Sequence, residues 1–402
     1  MTCNGFDGER CAAISRMIVG TGVLAIAVLL AAVVCMLQPA YRNWKAVADQ
    51  QQTRTELSAK YVAAGDASFA ARDFQAAQTS YIMAASINPM DSLLSSMVAR
   101  ARIATFASNP ALLDKADLQQ ARAECAIVLD RFPTDMSNVK IVQGMISFRE
   151  NRVNEALALL EEAAAADPAS AAVHVARAML WTFEPTKVES VPAEWEAAVA
   201  AAPEDPMILG MAGQSLINSQ ETFEKGLDML RKAVVTVRNL SWLKTIGSAL
   251  VQSGKADEAV DYINQAYTLS PRDPEALALI GQIHIAKREW EKAIPPLRDS
   301  MSIRETRDVM LPLAMALNST GRFDQALPIL QKLNQQGSDM MSVYEYANAL
   351  AGVGRKEEAV NLYNAILGLS EQGLEGMQAQ AVTTLKENAR MAVGRLTAAA
   401  PK

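Results

Sequence analysis

Apolar and small residues recur along this chain at spacings of three and four, a pattern that predicts amphipathic helices. The helices come in pairs, as in the segments 64–89, 143–168 and 246–271. In each segment a first helix has a small residue near its middle, and a turn rich in Gly, Arg, Asp or Asn follows. A second helix then opens on a small residue. The pattern therefore predicts repeated helix-turn-helix units.

The small residues that open the second helices set the register of the repeats. They are Ala77, Ala121, Ala156, Gly226, Ala259, Ala293, Ala326 and Ala359. Most neighbours in this series lie one period apart, a period of about 34 residues. The step from Ala156 to Gly226 spans two periods, one of them degenerate. The step from Ala77 to Ala121 is longer than one period because it contains an insertion, 108–117, which we expect to be a surface loop.

This pattern resembles the tetratricopeptide repeat, a helix-turn-helix unit of about 34 residues. The resemblance covers about residues 58–373 and implies an all-α solenoid of nine repeats. Six repeats are clear, and three, centred on 92–135, 172–206 and 207–239, are degenerate. Residues 374–402 lack the motif and are predicted to form a capping helix and a tail.

An uncharged run, 17–37, precedes the repeats and is long enough to cross a bilayer as a helix. Basic and aromatic residues flank it, as is typical of a membrane interface. The run is longer than the core of a cleaved signal peptide, and no small-x-small cleavage site follows it. We therefore predict a tail over 1–16, a transmembrane signal anchor over 17–37 and a juxtamembrane helix over 38–57. Basic residues are nearly balanced across the span, and the short N-terminal tail favours an exoplasmic (periplasmic) repeat domain.

Composition narrows the possible chemistry. Half of the residues are hydrophobic and the net charge is −6, so the chain can bury a core but lacks the basic face that nucleic acids require. Four Cys and two His do not indicate a disulfide scaffold or a zinc site. His174, His284 and Cys125 are expected to be structural or solvated. We predict no catalytic residue, no cofactor and no metal, and therefore a protein that is not an enzyme.

The resemblance also implies that the first helices line a concave groove that binds proteins or peptides. The repeat register places sixteen residues there: Asn138, Ile141, Met145, Phe148, Leu180, Phe183, Ile208, Met211, Ser215, Asn218, Lys244, Gln282, Met315, Asn318, Tyr344 and Asn348. The same register adds Ala176, Ser241, Ser248, Val251, Ile285 and Leu311. No repeat has the Lys–Asn pair with which related proteins hold a peptide's terminal carboxylate, so recognition of that group is not expected.

Together these features predict a membrane-anchored scaffold or adaptor that binds partner proteins and supports the assembly or maintenance of an envelope complex. Tethering raises the effective concentration of such partners without new contacts. Two alternatives stay open at this point. One is a structural protein that self-assembles into homo-oligomers, and the other is a regulatory subunit of a membrane enzyme.

Overall fold

The computed structural model describes residues 8–337, 339–368 and 376–398, with side chains described at Val33 and from Met36 to the end of the second range, and again from Gln380. These residues form helices and no strand. The chain divides after Pro185 into two compact units, which are described separately.

In its described residues, 8–185, the first unit contains seven α-helices and two short 3-10 helices. The α-helices are α1 (Gly8–Ala70), α2 (Phe74–Ile87), α3 (Ser92–Ser108), α4 (Leu118–Arg131), α5 (Met136–Arg149), α6 (Val153–Ala166) and α7 (Ala171–Trp181). The 3-10 helices are Pro110–Lys115 and Pro133–Asp135.

The second unit contains twelve α-helices in the described part of the chain and one 3-10 helix, Val188–Ser190. The α-helices are α8 (Val191–Ala201), α9 (Pro206–Leu216), α10 (Phe223–Thr236), α11 (Leu240–Gln252), α12 (Ala256–Leu269), α13 (Pro274–Ala286), α14 (Trp290–Ile303), α15 (Arg307–Ser319), α16 (Phe323–Gln335), α17 (Met340–Gly352), α18 (Lys356–Leu367) and α19 (Gly376–Thr397).

Within each unit the helices pack as hairpin pairs that stack in chain order, the arrangement of an α-solenoid. The described residues form eight such pairs, from α1 with α2 to α17 with α18, and each first helix from α9 to α15 contacts the first helix of the next pair. The remaining predicted repeat, 172–206, contains α7 and α8, which fall on opposite sides of the division.

The small residues that define the sequence register lie at the contacts between paired helices. Ala77, Ala156, Ala259, Ala293, Ala326 and Ala359 have no exposed surface. The pair of α9 and α10 is closer still, because a Cβ atom on Gly226 would lie 2.7 Å from the backbone nitrogen of Ile217 and 2.9 Å from the backbone oxygen of Gly213. Small side chains thus set how closely each pair of helices approaches.

The turns inside six of these pairs share one backbone device. Each places a residue in the left-handed region, with φ between 58° and 88°: Arg72, Asn151, Gly254, Arg288, Gly321 and Gly354. The next N–H group then reaches the carbonyl five residues back, as from Lys255 to Leu250 at 2.8 Å. These bonds satisfy carbonyl groups that the end of the first helix leaves without partners.

The insertion at 108–117 corrects one expectation. It is not a loose surface loop, because it forms a 3-10 helix in which Pro110 and Leu113 are buried. Leu113 is only 1% exposed, so the insertion completes the core beside α3 and α5.

The predicted membrane segment lies within α1. Most side chains of 17–37 fall outside the described part of the chain, so the anchor stays a prediction. In the part that is described, no helix is both apolar enough and long enough to span a bilayer. The helix continues through 38–57, where nearly every side chain is exposed, and begins to pack on α2 at Ser58.

The C-terminal helix α19 covers the last pair of the second unit. Leu385 and Ala389 are buried, and Ala389 belongs to the apolar cluster that α19 forms with α17 and α18. Apart from Met391, the exposed large side chains of its described outer face are polar or charged. This polar face is unsuited to end-to-end stacking.

Candidate functional site

A groove of about 730 Å³ runs along the first helices of the second unit. Helices α11, α13 and α15 supply most of its surface, and the start of α10, the segment after α9 and the start of α17 supply the rest. The lining residues are Ile217, Asn218, Phe223, Ser241, Lys244, Thr245, Ser248, Ala249, Gln252, Glu275, Ala278, Leu279, Gln282, Arg307, Asp308, Leu311, Pro312 and Asp339. Its size is within the range of about 300–1,000 Å³ that ligand pockets occupy.

The repeat geometry aligns these residues in rows. Ser241, Glu275 and Asp308 follow one another at one repeat period, so each lies at the same position of successive first helices. The row formed by Thr245, Leu279 and Pro312 has the same spacing. Since first helices stack side by side, equivalent positions form a continuous surface across three repeats.

The polar side chains on α11 offer hydrogen-bonding groups to the groove. Gln252 donates to the Ser248 hydroxyl at 3.0 Å, and Ser241 accepts a bond of 2.8 Å from Gln214. Ser241 and Gln252 are exposed, whereas Ala249 beneath them is buried. Hydroxyl and amide groups over a buried apolar floor suit contact with the backbone of an extended chain.

Lys244 is the more buried of the two cations that line the groove. Its side chain is 15% exposed, and Nζ lies 3.1 Å from both carboxylate oxygens of Asp273 and 2.6 Å from Glu275 Oε2. Burial opposes the charged amine, but the bonds to these carboxylates outweigh it and raise the pKa of Lys244. The bonds from Lys244 and from Arg304 lower the pKa of Glu275.

Arg307 is the second cation and closes the other end of the groove. It forms an ion pair with Asp339 and donates to the Gly337 carbonyl oxygen at 2.6 Å. Asp339 also caps α17 in a capping box with Ser342. Burial raises the pKa of Asp339, but the bonds from Ser342 and Arg307 outweigh it and lower the pKa.

Asp308 differs from the other carboxylates of the groove. It is exposed, and among the described residues its carboxylate forms no ion pair within 4 Å. Its backbone oxygen accepts a long bond of 3.4 Å from Gln282. Leu311 and Pro312, three and four residues further on, share its face of α15.

Three of the sixteen predicted residues line this groove: Asn218, Lys244 and Gln282. Three of the residues that the register added, Ser241, Ser248 and Leu311, also line it. Five of these six residues lie on α11, α13 and α15, and Asn218 lies in the segment after α9.

Five of the sixteen lie in the core instead of on a groove surface: Ile141, Met145, Leu180, Ile208 and Asn318, each at most 9% exposed. These five side chains are buried for a simple reason. A first helix packs against its partner and against both neighbouring first helices, so only a narrow strip of it stays free.

The other eight do not line this groove, although they retain exposed surface: Asn138, Phe148, Phe183, Met211, Ser215, Met315, Tyr344 and Asn348. In the first unit, Phe183 is 72% exposed and its ring centroid lies 5.6 Å from that of Phe148. Whether these residues contact a partner stays a prediction.

The sequence reasoning missed several lining residues, notably Glu275, Leu279, Arg307, Asp308 and Asp339. A usable signal existed for two of them, because moving the register from Ser241 by one and two repeats reaches Glu275 and Asp308. Asp339 precedes α17, and only its ion pair with Arg307 brings it to the groove.

A buried polar network lies between α15, α17 and α18. Asn318 Nδ2 donates to Glu345 Oε2 at 2.8 Å, and Asn348 donates to the same oxygen at 3.3 Å. Tyr363 donates to Asn348 Oδ1 at 2.5 Å. Burial raises the pKa of Glu345, although the two amide bonds lower it.

His284 and Cys125 both lie outside the groove. His284 Nδ1 lies 2.7 Å from Glu289 Oε2 at a turn, and burial raises the pKa of Cys125 to about 12. No group of three or more His, Cys, Asp or Glu side chains in the described ranges is arranged to hold a metal ion.

The fold defines a class, that of helical repeat proteins built from stacked helix-turn-helix pairs. The repeat type is given by a family model: residues 237–372, which contain α11 to α18, match the tetratricopeptide repeat. The helices that form the walls of the groove, α11, α13 and α15, lie within the residues that this model matches.

Comparison with curated proteins finds no match. Several solved structures are similar to this chain. PilF of Pseudomonas aeruginosa has 19% identity and a TM-score of 0.46, with 54% of this chain and 97% of that chain covered. PilW, a type IV pilus biogenesis factor, has 18% identity and a TM-score of 0.45, with 53% and 98% covered. YrrB, a tetratricopeptide repeat protein with a peptide-binding site, has 19% identity and a TM-score of 0.41, with 49% and 97% covered.

Proposed function

We propose that this chain is a scaffold that binds an extended segment of a partner protein in the groove formed by α11, α13 and α15. The observation that carries the proposal is the groove itself, with its buried apolar floor and its polar groups aligned across three repeats. Such a surface pairs with a peptide backbone through hydroxyl and amide groups and with apolar side chains through the floor.

The proposal extends to a membrane position. Residues 17–37 would anchor the chain, with the repeats on the exoplasmic side, where the scaffold would support assembly or maintenance of an envelope complex. The support is the uncharged character of this run and its basic and aromatic flanks. The helix that continues over 38–57 would separate the first repeat from the bilayer.

Photo-crosslinking in the native cell tests the groove. A photoreactive residue would replace Gln252 or Gln282, which line the groove, and Gln265 is the matched control because it is an exposed glutamine on α12 outside the groove. We expect one partner protein to be captured at both groove positions and not at Gln265. Capture of this chain alone, or equal capture at all three positions, would refute the proposal.

Extraction of membranes with alkaline carbonate tests the anchor. The wild-type chain should remain in the membrane pellet, and Leu24→Arg combined with Val28→Arg should release it, because each charge at the centre of a span costs about 2.5–3.5 kcal/mol. Ala46→Arg, in the exposed part of α1, is the control and should be retained. Release of the wild-type chain would show that the run does not anchor it.

Protease digestion of sealed vesicles tests the side of the membrane. An added protease should digest the repeats only where the exoplasmic face is outward.

A further inference from the structure

Most charged side chains that line the groove already form ion pairs, and one of them does not. This difference determines which charged group a bound segment can place in the groove. Both lining cations, Lys244 and Arg307, already pair with carboxylates of the same unit. Glu275 and Asp339 are the carboxylates of the groove that take part in these pairs. A ligand carboxylate would have to compete with these partners for the two cations.

Asp308 contrasts with these paired side chains. It lines the same groove, it is exposed, and within the described part of the chain no cation lies at ion-pair distance from it. A ligand cation can reach this carboxylate without breaking an existing pair. The charged group of the groove that is available to a ligand is therefore a carboxylate, and it requires a cation.

The neighbours of Asp308 define the shape of the cation that fits. Leu311 and Pro312 follow it at spacings of three and four on α15, so an apolar surface lies directly beside the carboxylate. Lys and Arg carry their charge on an apolar stem of three or four methylene groups, which packs on such a surface while the head pairs with the acid.

We infer that the segment bound in this groove carries a Lys or Arg side chain that pairs with Asp308 and lays its stem on Leu311 and Pro312. The inference rests on the proposed function, because it assigns a residue type to the occupant of the same groove. It excludes a segment whose only charged group is a carboxylate.

A peptide array tests this assignment. The full-length chain would be applied to immobilised random nine-residue peptides at low ionic strength, and the enrichment of basic over acidic residues in bound peptides would be measured. Since a partly exposed ion pair contributes modestly, we expect a preference of roughly two- to fivefold for peptides with Lys or Arg. Asp308→Asn should remove the preference, and Asp308→Lys should reverse it toward acidic peptides.

Asp324 supplies the matched control. It is also an exposed aspartate at the second position of a helix, α16, but it does not line the groove. Asp324→Asn and Asp324→Lys alter the start of a helix in the same way and should leave the peptide preference unchanged. If Asp308 served only to stabilise the start of α15, its substitutions would change the stability of the chain, as those of Asp324 would. They would not reverse the peptide preference.

The two proposals fail in different ways. If Gln252 and Gln282 capture a partner but Asp308→Lys leaves the preference for basic peptides unaltered, the assignment of a cation to Asp308 is wrong and the scaffold function stands. If the chain enriches no peptide and the groove positions capture no partner, the scaffold function itself fails. Enrichment of acidic peptides by the wild-type chain would overturn the inference directly.

Discussion

Replacing Gly226 with alanine tests how the closest helix pair is packed. Seven other second helices of the register carry alanine at this position, so Gly226→Ala restores the usual residue. On the sequence alone the change should stabilise the chain, because alanine favours a helix by about 0.8–1 kcal/mol over glycine. The structure predicts the opposite result.

The magnitude follows from the neighbours of the added methyl group. Its nearest atoms are all backbone, at 2.7 Å for Ile217 nitrogen, 2.9 Å for Gly213 oxygen and 3.0 Å for Leu216 carbon. No side chain can rotate away, so α10 must move away from α9 to restore ordinary contacts. Overpacking of this kind costs about 1–3 kcal/mol, which leaves a net destabilisation of about 1 kcal/mol after the helix preference is included.

Hydrogen–deuterium exchange of the full-length chain measures this locally, as is suitable for a repeat array that need not unfold in one step. Amides of α9 and α10 should exchange about fivefold faster in Gly226→Ala. Gly394→Ala is the control, because no atom lies within 4 Å of the added methyl group, and exchange in α19 should slow. Slower exchange in α9 and α10 of Gly226→Ala would refute the close backbone contact.

Three further predictions concern charge and packing. Glu345→Gln should raise the free energy of unfolding at pH 7. Burial raises the pKa of this carboxyl, so wild-type stability falls as pH rises above the ordinary value of about 4.5; in urea titrations the advantage of the variant should vanish below that pH. Lys244→Met should cost about 1–3 kcal/mol at pH 7. The lowered pKa of Glu275 contributes stability that is fully present above about pH 4.5 and is lost as pH falls below that value through the lowered pKa. The stability deficit of Lys244→Met should therefore shrink in acid. An unchanged deficit at pH 3 would contradict the ion pairs. Leu385→Ala should cost about 2–3 kcal/mol and speed amide exchange in α17 and α18, whereas the exposed control Thr384→Ala should leave both rates unchanged.

The fold could be predicted largely from spacing. Ala259, Ala293 and Ala326 recur at one repeat period, and each is fully buried between paired helices. Such spacing is sufficient because close helix packing permits only a small residue at the contact. The division after Pro185 could not be predicted in this way, since it depends on how densely distant segments pack.

The groove was predictable only in part. Lys244 and Gln282 were predicted because the repeat register places both on the groove side of a first helix. Ile141 and Ile208 were misplaced because an apolar residue in a groove and one in the contact between repeats give the same periodicity. The repeat register could have placed Asp308 in the groove, but its lack of an ion pair depends on its surroundings in space, which the sequence does not give.

The unbroken course of α1 has a geometric consequence for the first unit. A helix turns by about 100° per residue, and beyond Pro39 the helix α1 continues through 40–57 into the part that packs on α2. The number of residues in this stretch therefore determines the direction in which the first repeat faces about the helix axis. One inserted residue would swing the packed face of that repeat by about 100° about the helix axis, whereas seven would return it to within about 20° of its starting direction and move it about 10 Å along the axis. Partners that must meet both the preceding part of α1 and the first repeat would respond to the phase of an insertion more than to its length.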